Sequence, residues 1–254
     1  MTTGSSGVHS AAATGFEQNA ADYELARPGY PHDALELLTE KLPLGPGRTV
    51  ADVGAGTGKM TRLLEGSGAS VIAIEPVRAM RAELVQALPS AITVGAAADQ
   101  LPLRTASLDA IVCAQSFHWF ATTTVLREFA RVLRQGGGLT LLWNVRDNTE
   151  PWVRSFTELL RPYEGDRPDH NRGSWRQVFE EESFFAPLET ASFRHSQPMT
   201  PDLLVARAAS MSFVGALESQ TRRVLLEQVR RLGTERGDSF ELPYRTDLHL
   251  TVRR

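Results

Sequence analysis

Between Arg48 and Asn144, short apolar runs alternate with stretches whose apolar residues recur at helical spacing. Thr49-Val50-Ala51-Asp52-Val53 reads as a buried strand stopped by Gly54-Ala55-Gly56-Thr57-Gly58, after which Met60, Leu63 and Leu64 repeat with a helical period. Ser70 to Glu75 predicts a second strand, and Pro76 suits the first turn of a helix carrying Val77, Met80, Leu84 and Leu88. Ile92-Thr93-Val94 predicts a third strand, and Leu108 to Gln115 a fourth whose unbroken apolar run implies burial on both faces. Val125, Leu126, Phe129, Val132 and Leu133 then lie on one helical stripe, which Gly136-Gly137-Gly138 is expected to end before a fifth strand from Leu139 to Trp143. Strands regularly separated by helices imply parallel βαβ units with right-handed crossovers, and so a doubly wound α/β sheet.

Past Asn144 the rhythm changes. Trp152, Phe156, Leu159, Leu160 and Tyr163 make one amphipathic helix, followed by the polar, Pro- and Gly-broken stretch from Glu164 to Gly173. Ser174 is placed to cap a short helix bearing Trp175, Val178 and Phe179. Leu188 to Met199 is a weakly patterned strand, Thr200-Pro201-Asp202 opens a helix, and Leu225, Val229 and Leu232 mark the last long one. Leu248, Leu250 and Val252 alternate with Asp247, His249, Thr251 and Arg253, which predicts a half-exposed antiparallel edge strand with His249 facing solvent. The organisation expected is a disordered tail over 1–14 and one domain over 15–254, its last strands completing the sheet and a helical insertion falling at about 145–186.

Composition narrows the partners. Of the 254 residues, 42% are hydrophobic and 22% charged, which is ordinary for a globular domain. The net charge of −3 supplies no basic excess for gripping a phosphate backbone, so no nucleic-acid partner is expected. Cys113 is the single cysteine, which excludes an intramolecular disulfide and a cysteine-built zinc site and points to a reducing cytoplasm. No HxxxH, HExxH or carboxylate cluster suggests a metal. No apolar stretch approaches the ~18–20 residues of a membrane helix, and Met1 to Gly7 lacks the basic and apolar regions of a signal peptide, so no membrane partner is expected.

The candidate chemistry begins at the glycine loop. A strand, a glycine turn and a helix form a general nucleotide-binding device, and ligands of open α/β sheets sit at the carboxyl ends of the strands. Here Gly54, Gly56 and Gly58 give GxGxG, with Lys59 where a dinucleotide fold wants Gly or Ala, and the spacing also fails the Walker pattern. Asp52, two places before the first glycine, would repel a pyrophosphate and attract a ligand with cationic groups and no phosphate. S-adenosylmethionine, with its ammonium and sulfonium, is such a ligand. Glu75 ends the second strand where a carboxylate can accept from both ribose hydroxyls, and Asp99 is placed to accept from an adenine amino group.

With these pieces the chain resembles the class I S-adenosylmethionine-dependent methyltransferases. The resemblance rests on Val50 to Gly58, Glu75, Ala98-Asp99-Gln100-Leu101-Pro102, Ser107 to Val112, Leu126 to Leu133 and Gly136 to Leu139. It implies a Rossmann-like seven-stranded sheet in the order 3-2-1-4-5-7-6 with the last strand antiparallel and helical cap insertions. It also implies that Asp52, Gly54, Ala55, Gly56, Gly58, Glu75, Pro76, Met80, Ala98, Asp99 and Gln115 hold the cofactor, S-adenosyl-L-methionine. The small-molecule branch that includes trans-aconitate methyltransferase looks nearest, through Phe16, Tyr23, Arg27-Pro28-Gly29-Tyr30-Pro31 and the cluster Phe117-His118-Trp119-Phe120.

In that branch the segment at about 15–31 closes over the cofactor as a lid. Tyr23 and Arg27 are therefore candidate site residues, Arg27 as the partner of the methionine carboxylate or of an acidic substrate. His118 and Trp119 follow the fourth strand at the topological switch point, where Phe117, Trp119 and Trp143 are expected to form aromatic walls. His118 is the histidine that its motif places beside the methyl, as a base for a hydroxyl acceptor or as a pocket-shaping group for a carboxylate, whereas His170 and His195 fall in the inserted or distal half. The expected activity is O-methylation of a small carboxylate or hydroxyl acceptor by a monomer or homodimer. A non-catalytic S-adenosylmethionine-binding module and a NAD(P)-dependent oxidoreductase remain the alternatives.

Overall fold

The apolar runs meet in a single sheet. The computed structural model describes residues 26–166, 168, 170 and 173–254. Its strands are β1 (Thr49–Val53), β2 (Ser70–Ile74), β3 (Ile92–Val94), β4 (Leu108–Ala114), β5 (Leu133–Arg146), β6 (Glu189–Met199) and β7 (Phe240–Val252). They lie in the order β3-β2-β1-β4-β5-β7-β6, the order the resemblance implies. β1 to β5 are parallel, and β7 runs antiparallel between β5 and β6. The reversal at β1/β4 places a topological switch point at the carboxyl ends of those two strands.

The described helices are α1 (His32–Lys41), α2 (Lys59–Glu65), α3 (Arg78–Ala87), α4 (Thr123–Val132), α5 (Pro151–Leu160), α6 (Gln177–Glu181), α7 (Pro201–Ala209), α8 (Ser212–Gly215) and α9 (Ser219–Thr234). None is long and apolar enough to cross a membrane.

Adjacent strand residues serve opposite layers, as the two-residue period requires. Ala51, Ile111, Cys113, Leu139 and Leu141 pack with Val125, Leu126 and Phe129 of α4 and with Phe117 and Trp175. Their neighbours Val50, Ala110, Val112 and Leu142 pack with Ala34 and Leu38 of α1 and Met60 and Leu64 of α2. A third cluster joins α5, α7 and α9 through Phe156, Leu160, Leu204, Ala208, Leu225 and Val229 to Leu242 and Tyr244 of β7. β5 and β7 stay paired as far as Arg146 and Tyr244, so they carry these helices beyond the sheet's switch-point edge. Thr200 caps α7 as its sequence predicts, accepting from the Leu203 N–H at 3.2 Å.

Several expectations are corrected. β7 is an inner strand and β6 is the edge. The alternation in β7 marks two covered faces: Leu248 and Leu250 meet the α1 layer, while His249 is buried against Trp143 and Trp175. His249 therefore does not face solvent, and burial pushes its pKa down to about 4. The glycines 136–138 do not end a helix; α4 stops at Val132, and Gly138 pairs with Ala110 inside β5. A side chain on Gly137 would come within 3.1 Å of the Asp109 carbonyl oxygen, so close strand packing is what selects glycine there. Ser174 caps nothing and instead lies inside a 3₁₀ turn, Ser174–Arg176, preceded by Gly173 at φ +69°.

Candidate active site

Between β1 and α2 the three loop glycines have separate physical reasons. Gly54 (φ +73°) lies under the turn after β4, where an added Cβ would fall 2.5 Å from the Ser116 Cβ. Ser116 holds that approach by donating to the Val53 carbonyl at 2.7 Å. Gly58 starts α2 at φ +92°, and a Cβ there would press on Leu84 and Leu88 of the α3 segment at 3.0 Å. Gly56 (φ +58°) differs, because nothing lies within 4 Å of its added Cβ. Its face opens onto a cleft bordered by Arg27, Tyr30, Asp52, Gly54, Ala55, Gly56, Lys59, Gln115, Asn144 and Arg207.

Two carboxylates stand at this loop. Asp52 is fully buried; its Oδ2 accepts from the Thr61 hydroxyl at 2.7 Å, while Oδ1 lacks a hydrogen-bond partner. Burial raises its pKa to about 7 against the Thr61 hydrogen bond, and the charge of Glu75 adds to the rise. Glu75 accepts backbone N–H bonds from Gly56 and Val77, both at 2.8 Å, so it shapes the loop from beneath. Burial raises its pKa as well. An orphaned carboxylate oxygen at the floor and a glycine face open to the cleft fit a ligand that brings a cation and passes close to the backbone.

Of the other candidates, Gln115 sits where β4 ends, at φ +61°, with its N–H on the Leu142 carbonyl at 2.8 Å. A non-glycine residue in that region stores of order 1–3 kcal/mol of strain, a feature that clusters at functional sites. Pro76, Met80, Ala98 and Asp99 follow β2 and β3; Met80 and Ala98 are buried, Asp99 is exposed, and none of the four borders this cleft. Tyr23 and most of the proposed lid, 15–25, lie outside the described residues, as does the tail over 1–14.

The described end of that segment, 26–31, is tied down from several elements. The Lys59 ammonium donates to the Arg27 carbonyl at 2.6 Å. The Asn144 amide donates to the Gly29 carbonyl at 2.8 Å while its oxygen accepts from the Thr246 hydroxyl at 2.6 Å. Arg27 itself reaches the Ser210 carbonyl at 3.3 Å. Lys59, anomalous for a dinucleotide loop, thus has a structural use that its motif position did not suggest.

A second space opens beside the first. It is bordered by His118 and Trp119 after β4, Arg146 at the end of β5 and Asn148 beyond it, Arg161 and Glu164 after α5, His170, and Met211 to Phe213. Arg27, Gln115, Asn144 and Arg207 border both spaces and mark where they join. Phe117 and Trp143 are not walls of it; both are buried in the core. Trp143 backs the site instead, donating its indole N–H to Nδ1 of His118 at 3.1 Å. His170, expected in the inserted or distal half and away from the site, stacks on Trp143 with ring centroids 5.6 Å apart and lies 6.1 Å from the His118 ring. Sequence patterning missed Arg146, Arg161, His170 and Arg207, which stand in no motif and converge only through the fold.

With this geometry in place, similarity to known proteins defines the class. Residues 51–141 match a methyltransferase domain model. An uncharacterised methyltransferase of Mycobacterium tuberculosis is 34% identical over 236 residues, covering 91% of this chain and 92% of that one. A methyltransferase-like protein of Schizosaccharomyces pombe is 30% identical over 237 residues, covering 91% and 92%. Geranyl diphosphate C-methyltransferase of Streptomyces coelicolor, solved with S-adenosylhomocysteine, superposes with a TM-score of 0.52 at 16% identity, covering 87% of this chain and 80% of that one. At that identity the last likeness speaks for the fold alone. The chain belongs to the class I S-adenosylmethionine-dependent methyltransferases. It is a methyltransferase enzyme, and S-adenosylmethionine is its cofactor.

Proposed function

We propose that this enzyme methylates an oxygen of a small-molecule acceptor, a carboxylate in preference to a hydroxyl, in the cytoplasm. One observation carries the reading: the glycine-loop cleft and the polar second space share a border at Arg27, Gln115, Asn144 and Arg207. A cofactor in the first space then meets an acceptor in the second at the strained end of β4. When bound, S-adenosylmethionine supplies an electrophilic methyl group on a sulfonium. Asp52 would take the cofactor's ammonium through its orphaned oxygen, Glu75 the ribose hydroxyls, and Asp99 the adenine amine, with Pro76, Met80 and Ala98 along the base. Residues 15–254 would act as one domain, and Arg27, the described candidate of the 15–31 segment, would cover the cofactor from the border of both spaces.

His118 favours the carboxylate. An indole N–H only donates, so Nδ1 of His118 is an acceptor in that bond and the neutral ring carries its proton on Nε2. Such a ring orients an acceptor oxygen by donating to it and does not remove a proton at Nε2. A carboxylate, ionised at neutral pH, needs no base. Alignment and exclusion of water then supply most of the acceleration, with Trp119 as an apolar wall. The likeness of Arg27 to Tyr30 and Phe117 to Phe120 to a branch that esterifies acids agrees. The test is transfer of labelled methyl from S-adenosylmethionine to a panel of small acids and phenols beside tRNA, DNA and protein. Label is expected in small acids; label in the macromolecules alone would overturn the reading.

A further inference from the structure

The second space is lined by more positive than negative charge: Arg27, Arg146, Arg161 and Arg207 against Glu164. Arg207 stands apart. It is 6% exposed, yet no described carboxylate pairs with it. Its Nε donates to the Tyr244 hydroxyl at 3.2 Å, and its Nη1 is buried with no hydrogen-bond partner. A guanidinium cannot shed its proton to relieve burial, so an uncompensated one is retained only at a cost to stability. Its position explains the retention, since it borders both spaces at their junction. The Tyr244 bond and the packing of α7 on α9 through Leu204 and Ala208 hold the side chain in place without neutralising it.

We infer that Arg207 is the anion receptor of the acceptor space and that the acceptor is an acid whose carboxylate pairs with this buried guanidinium. The inference rests on the proposed function and adds the residue that reads the acceptor's charge. A planar fork matches a carboxylate and not the amide of the same shape, because an amide brings donors and no negative charge to a guanidinium that itself only donates. Desolvation makes that discrimination large, since a site that excludes water strengthens the pairing of opposite charges.

The experiment is calorimetric titration of the protein, loaded with S-adenosylhomocysteine, using acid and amide pairs of equal size: benzoate and benzamide, hexanoate and hexanamide, glutarate and glutaramide. At least one acid is expected to bind about tenfold or more tighter than its amide. Arg207→Gln should remove that preference, and Arg207→Lys should keep part of it, each variant being titrated at saturating S-adenosylhomocysteine so that the preference is read on loaded protein. A wild type in which no acid outbinds its amide overturns the inference, as does a preference undiminished in Arg207→Gln. Should the glutamine variant fail to fold, the lysine variant decides, an unchanged preference being the contrary result. Failure of the wild type to bind S-adenosylhomocysteine would strike the proposed function itself and is read separately, before any acid is added.

Discussion

The two spaces of this enzyme are built in opposite ways. The glycine-loop cleft, proposed for the cofactor, draws its floor from one strand–turn–helix unit, Asp52 to Met60, with Ala114 and Gln115 from the adjacent strand end. The second space, proposed for the acceptor, gathers residues from Arg27, the turn after β4, the end of β5, the segment after α5 and the α7–α8 corner, as far along as Phe213. A ligand held by backbone geometry needs glycines and carboxylates at fixed sequence offsets. A ligand held by side chains on separate elements needs only that the fold bring them together. The first arrangement is local and the second is not, and mutations in the two regions should separate accordingly.

The largest effect is expected at Gly56. A valine there would project its branched side chain from a φ of +58° into the open face of the cleft, with no protein atom to displace. Gly56→Val should weaken binding of S-adenosylhomocysteine by about a hundredfold or more, while the cost to stability stays near the ~1–3 kcal/mol of left-handed strain. Calorimetry and thermal unfolding on the same sample measure both. Normal binding would mean that the loop is not the cradle.

A smaller effect tests the buried floor. The Asp52 carboxyl is raised to about 7 by burial first and by the neighbouring Glu75 charge, despite the Thr61 hydrogen bond. Its folded pKa thus exceeds the unfolded 3.8, so the folded state holds the extra proton. The stability this contributes is present below about pH 4 and is lost as pH rises through about 7. The ligand's ammonium pairs with the ionised form of Asp52, so affinity for S-adenosylhomocysteine should run the other way. It should improve about tenfold per pH unit on approach to 7 and level off above it. Asp52→Asn should flatten the profile, and a sloping profile in that variant would detach the effect from Asp52.

How much of this was legible from the chain follows the same division. Gly54, Gly56, Gly58, Asp52 and Glu75 declare themselves by spacing, because a turn that approaches a ligand closely has few solutions. Gln115 is legible only as the residue where an apolar run ends; its positive φ is a consequence of the fold. Alternation in β7 misled about exposure, since period two reports which residues share a face and not whether that face is covered. Trp143 and Phe117, adjacent to the site in sequence, turned inward, while Arg207 and His170, remote in sequence, turned towards it. Arg207 carries no sequence signal, being one arginine in a helix that packs through Leu204 and Ala208 and pairs Asp202 with Arg230.

The smallest effect concerns His118. With Nδ1 engaged by Trp143, the ring acts as a donor, so His118→Ala should lower turnover of a carboxylate acceptor by less than about tenfold. Wild-type turnover should show no histidine-like step near neutral pH. A loss of about 10²–10⁴ with a rising limb near pH 6–7, at unchanged cofactor affinity, would restore His118 as a base.

The central claim is that the two spaces meet at one reaction point bordered by Arg27, Gln115, Asn144 and Arg207. A crystal structure of the protein with S-adenosylhomocysteine tests it most directly. The account predicts the ligand's ribose against Glu75, its ammonium on Asp52 and its sulfur at that junction, facing the space lined by His118 and Trp119. A sulfur directed away from the junction, or a homocysteine arm lying where the acceptor is assigned, would contradict it.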